Sequence, residues 1–149
     1  MRFWGGRFRA GRSEEEGSAV LEFVFLAVLL MIPVVYFILT LGQLQGGAFT
    51  AAGAADQAAK VYVIAVDPGT ARAAAEQAVL LAMADAGLAP ANAQLKISCR
   101  PADCLAPGST VTATVTIAIE LPLIPSLPGV NLRVAQLRSA ASATVGRFR

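Results

Sequence analysis

Residues 19–41 read AVLEFVFLAVLLMIPVVYFILTL, and a single charged side chain, Glu22, interrupts them. At about 1.5 Å of rise per residue, a helix of this length spans roughly 34 Å, enough to cross a hydrocarbon core about 30 Å thick. A core helix of a soluble protein can have the same composition, but it needs a domain large enough to surround it, and the roughly 108 residues that follow are few for that. A membrane-spanning helix is therefore expected over residues 18–42. The bulk composition agrees: of 149 residues, 56% are hydrophobic and 15% charged, where an ordinary soluble domain carries about 25% charged residues.

The flanks of this run set an expected orientation. Arg2, Arg7, Arg9 and Arg12 precede it, and the next basic residue after it is Lys60. Lysine and arginine near a span stay on the cytoplasmic side, so residues 1–17 are expected inside and residues 43–149 outside. Residues 1–17 read as a leader in which Gly5, Gly6, Gly11 and Gly17 work against helix formation. A secretory signal peptide is the rival reading. It would have an apolar core of about 7–15 residues followed by a small-x-small cleavage site, whereas this run is longer and GQLQGGAF at 42–49 offers no such site.

Beyond the run, alanine-rich residues 43–66 carry a helical stripe of Leu44, Ala48, Ala52, Ala55, Ala59, Tyr62 or Val63, and Val66, with Asp56 and Lys60 spaced as an i, i+4 pair on another face. This helix is expected to continue the membrane span, with a bend at Gly46-Gly47. Asp67-Pro68-Gly69 ends it, and Asp67 and Pro68 suit the cap and first residue of a second helix. That helix passes through Val79, Leu80 and Met83 and stops at Gly87.

The period then changes to two. Ala93, Leu95, Ile97 and Cys99 alternate with Gln94, Lys96 and Ser98; Val111, Ala113, Val115, Ile117, Ile119 and Leu121 alternate with threonines and Glu120. Both patterns predict half-buried strands. A third strand begins with Val130, Leu132 and Val134 and changes face near Ala135-Gln136, as a bulge allows. The expected fold is α+β: a long N-terminal transmembrane helix running into an extracytoplasmic domain with a second helix and a three-stranded antiparallel sheet. LPLIPSLPG at 121–129, with prolines that keep it out of a sheet, is either an exposed contact patch or a loop over the core edge.

Several function classes lose their support. There is no histidine, the commonest general base and metal ligand, and two cysteines do not complete a zinc site. The serines and acids show neither a G-x-S-x-G elbow nor a Gly-rich phosphate loop, so the chain is not expected to be an enzyme, to hold a cofactor or metal, or to act on a small-molecule substrate. A net charge of +2 with no basic patch interleaved with aromatics argues against nucleic acid.

The junction into the run reads Glu14-Glu15-Glu16-Gly17-Ser18-Ala19-Val20-Leu21-Glu22-Phe23. A polar leader ending in glycine, then a lone glutamate followed by an aromatic inside an apolar helix, resembles the processing site of type IV pilins. With the Glu-Phe pair it is similar to the Tad/Flp branch, and the larger domain after it resembles the TadE-like family of pseudopilins. The resemblance implies a pilin-like fold and cleavage by a prepilin peptidase between Gly17 and Ser18. It further implies an assembly role for Glu22 and Phe23, in which the glutamate pairs with the new amine of its own or a neighbouring subunit. The implied partners are the lipid bilayer, the prepilin peptidase, other pilins and the pilus assembly platform. Pseudopilins of type II secretion share this N-terminal pattern. An ionisable group within a membrane helix is costly and is usually kept for function; the alternative for Glu22 is snorkelling to the interface.

Cys99 and Cys104 enclose RPAD at the end of a predicted strand. Outside the cytoplasm they are expected to form a structural disulfide, and the spacing is not the C-x-x-C of redox sites. Three roles result: a minor pilin or pseudopilin in assembly of a Tad-type pilus, a membrane-anchored interaction module that never polymerises, and a small anchored enzyme, the last with least support.

Overall fold

The computed structural model describes residues 13–120 and 133–147, with side chains over 18–120 and 135–147. Most of the leader, the 121–129 loop, and Val130 and Leu132 of the expected third strand lie outside the described residues. The elements are α1 (Ser13–Ile64), α2 (Pro68–Asp85), a 3-10 turn (Pro90–Asn92), β1 (Ala93–Arg100), β2 (Thr110–Glu120) and β3 (Arg133–Thr144). The chain divides into two units between Leu39 and Thr40.

In the first unit, α1 starts at Ser13, so residues 13–17 are helical, contrary to the expectation that Gly17 holds the leader out of a helix. A glycine inside a helix costs only about 1 kcal/mol relative to alanine, and the long apolar run propagates the helix through it. Pro33 lies inside α1. It has no N–H to offer Leu29, a loss that membrane helices tolerate.

In the second unit, an antiparallel sheet of order β1-β2-β3 forms one layer. Ala93 pairs with Ile117 and Arg100 with Thr110, while Thr110 pairs with Thr144 and Ile119 with Ala135. The register then shifts, since Glu120 pairs with Arg133. The bulge therefore falls at Val134, just before the face change expected at Ala135-Gln136, and it brings Leu137, Ala141 and Ala143 onto the core side. β2 is central and rich in β-branched residues, which suit a pleated, half-buried surface. Its inward Val111, Val115 and Ile117 are fully buried, each worth about 1.5–3 kcal/mol of burial.

The helices supply the rest of the core with Ala51, Ala54, Ala55, Ala58, Ala59 and Tyr62 from α1, and Ala71, Ala75, Val79 and Met83 from α2. This corrects the phase expected for α1. Ala55, Ala59 and Tyr62 are buried as expected, but Ala48, Ala52 and Val66 are exposed, and Gly47, Ala51, Ala54 and Ala58 take the inward positions. Nearly every residue here is small, so hydropathy alone barely distinguishes one face from the next. Contact with the sheet decides the phase. A Cβ on Gly47 would overlap Ile119 Cδ1 and stand 2.8 Å from Leu137 Cδ1. The helix is unbroken at Gly46-Gly47, and at Gly47 the absent side chain allows close approach.

Both ends of α2 are capped. Asp67 Oδ1 accepts from the N–H groups of Gly69 and Thr70 at 2.9 and 3.0 Å. At the other end Gly87 adopts φ +67°, its N–H donates to Ala84 O, and the Leu88 N–H donates to Met83 O. This pair of bonds is the Schellman arrangement. Leu80, expected within the helix, points outward and is 40% exposed.

Candidate functional site

The apolar run of α1 is the first candidate. The helix is long and apolar enough to cross a membrane, and its most apolar window is wholly unburied. Leu21, Phe23, Phe25 and Leu30 are each about two-thirds or more exposed. In water such a surface is strongly unfavourable, whereas in lipid it is what the solvent requires. A single-pass-length anchor joined to a small disulfide-bonded α+β module is the plain description of the chain.

The residues singled out at the junction lie on this helix. Gly17 is part of its backbone, and Ser18, Glu22 and Phe23 are all exposed. Ser18 and Glu22 are four residues apart and so share a face. Glu22 has no ion-pair partner among the described residues, where the pairs are Lys60–Asp56 at 2.6 Å and Arg72–Glu76 at 3.0 Å. The first of these pairs was expected from its spacing. Arg72 and Glu76 carry the same i, i+4 signal.

A second candidate is the face of α1 turned away from the sheet in the second unit. Ala48, Phe49, Ala52 and Gly53 are exposed there, Phe49 at 79%. Small residues in such a row let another helix approach closely. Sequence periodicity points Ala48 and Ala52 inward, whereas the structure turns them outward onto this surface.

The end of the sheet holds the disulfide. Cys99 and Cys104 are joined, with their Cα atoms 5.1 Å apart. Both sulfurs' residues pack against the core. Buried Ser109 donates its hydroxyl to Cys104 O at 2.9 Å, and its carbonyl accepts from the Val145 N–H at 2.9 Å. The disulfide closes the β1–β2 connection onto the end of β1, and Ser109 ties that connection to Val145, just after β3.

A groove of about 550 Å³ lies beside Gln43, Gly47 and Thr50 of α1, Gly87, Asn92 and Glu120. It exists because glycines and alanines line it. Thr50 turns its hydroxyl back to Gly46 O at 2.9 Å, and among the described residues Glu120 is the only charged group in the lining, with no nucleophile and base brought together there. Among the described residues, no three histidine, cysteine or acidic side chains cluster to hold a metal ion.

The carboxyl of Asp67 is held by its capping role at the start of α2. Hydrogen bonds from the side chain and N–H of Thr70, with a lesser one from the Gly69 N–H, hold its carboxyl below the usual carboxylate value against an opposing desolvation.

Compared with known proteins, the chain matches no family model, no curated protein and no solved structure.

Proposed function

We propose that this chain is a pilin-like assembly subunit of the TadE-like kind. In this reading it is cut by a prepilin peptidase between Gly17 and Ser18, anchored in the bilayer by α1 with residues 43–149 outside, and used as a minor pilin or pseudopilin in building a Tad-type pilus. The observation that carries the reading is the placement of Glu22. It is the one charged group in the otherwise apolar, uncovered run 19–41 of α1, and it lies one turn after Ser18. Cleavage after Gly17 would make Ser18 the first residue of the helix and put a charged amine on the same face as Glu22. The glutamate would then sit in the first turn, where the helix dipole favours a negative charge. The cost of placing a carboxylate in a membrane helix would be offset by the amine of the same or an adjacent subunit.

Two further features support the reading. The exposed row of Ala48, Phe49, Ala52 and Gly53 continues along α1 beyond the membrane run and offers a packing face for another helix. The Cys99–Cys104 disulfide fits an oxidising compartment and hence an extracytoplasmic module. The test is recovery of the tagged chain with sheared filaments, or in complexes with other pilins, from cells that express the peptidase. Recovery only as a dispersed membrane protein would favour a non-polymerising anchored module.

A further inference from the structure

We propose that the open face of the sheet binds an acidic polysaccharide. The inward side chains of β1, β2 and β3 form the core, so their alternates make up this face. On it Lys96, Arg100 and Arg138 are exposed. Lys60 and Arg72 on the helices are held by neighbouring carboxylates, but these three have no ion pair among the described residues. Among the described residues of the sheet, outward-facing acid is confined to Glu120, at the far end of β2.

The cations surround a field of hydroxyls. Ser98, Thr112 and Ser142 pair in one row across all three strands. Thr112 and Ser142 share a hydrogen bond of 2.7 Å, and Ser98 reaches Thr112 O at 3.5 Å. In adjacent rows Lys96 is opposite Thr114 and Arg100 opposite Thr110, while Arg138 is opposite Thr116 one row further. Lys96 and Arg100 are four residues apart on one strand, about 13 Å.

This chemistry selects among anionic partners. No described outward residue of the sheet is aromatic, and none is an aliphatic larger than alanine. A protein partner would lack the apolar anchors on which interfaces depend, and a single-stranded nucleic acid would lack a stacking platform. Duplex DNA is held through many phosphate contacts, about 6–10 in a typical complex, more than three cations supply. A polysaccharide whose carboxylates stand among hydroxyls matches both the few cations and the hydroxyl rows.

The test uses the full chain in phosphatidylcholine nanodiscs, titrated with polygalacturonate and with neutral dextran. Saturable binding to polygalacturonate alone, weakening as NaCl is raised, is expected. The paired substitutions Lys96→Gln and Arg138→Gln should weaken it about tenfold or more, each single substitution by about threefold or more, and Lys60→Gln with Arg72→Gln should leave it unchanged. Binding that responds equally to the sheet and helix substitutions would overturn the proposal, as would no binding at all. Tighter binding of a duplex DNA oligomer through the same three cations would overturn it in favour of nucleic acid.

Discussion

Gly47 of α1 lies so close to Ile119 of β2 that a methyl group added to the glycine would collide with the isoleucine's Cδ1. This contact fixes where α1 meets the sheet, and its neighbour Gly46, with open space around its Cα, provides the internal control. Gly47→Ala should destabilise the second unit by about 1–3 kcal/mol through overpacking. Gly46→Ala should instead stabilise it by about 0.5–1 kcal/mol, because alanine loses less backbone freedom on folding. Denaturant unfolding of the full chain in micelles measures both, and equal effects of one sign would contradict the packing described.

Replacing Cys99 and Cys104 together by serine should lower stability by about 2 kcal/mol, the modest entropy expected of so short a closed loop. The effect should be matched by reducing the wild-type chain, and it is read from the shift in unfolding midpoint with and without reductant.

Asp67 gives the molecule a predictable acid response. Its folded-state carboxyl is held below the ordinary value by Thr70 and Gly69, so it contributes stability above the unfolded value of about 3.9. That contribution is lost as pH falls through the folded-state value. Asp67→Asn keeps an acceptor at the cap but removes the titration. Thermal unfolding from neutral pH into the acid range should therefore show a shallower decline for this variant than for wild type.

Glu22→Ala should leave membrane insertion intact and reduce assembly. Carbonate-resistant membrane association and filament yield in a deletion strain read the two effects separately. Equal filament yield from the variant would remove Glu22 from the assembly mechanism.

Much of the fold is legible in the sequence because its signals are local. The unbroken apolar run, Asp67-Pro68, Gly87 and the strict alternation through Val111–Ile119 each specify an element from neighbouring residues, and each element forms as expected. The phase of α1 is not local. Ala48 and Ala51 are the same residue type, yet one is exposed and the other buried, because Ile119 and Leu137 far along the chain decide which face approaches the sheet. The bulge before Ala135 is visible as a change of alternation, but its position depends on pairing with β2. For the candidate site, the sequence identifies Gly17, Ser18, Glu22 and Phe23 as a group. The structure adds that Ser18 and Glu22 share a helical face and that the apolar surface beside them is uncovered. In the proposed role the group that pairs with Glu22 is created by cleavage, so it would not be found among the described residues.

The most direct test of the proposed role is the N-terminal sequence of the protein recovered from membranes of cells that contain a prepilin peptidase. The account predicts a chain beginning at Ser18, and retention of the leader when Gly17 is replaced by a bulky residue. A chain that still begins at Met1 in the presence of active peptidase would contradict it and leave a membrane-anchored module that is not processed as a pilin.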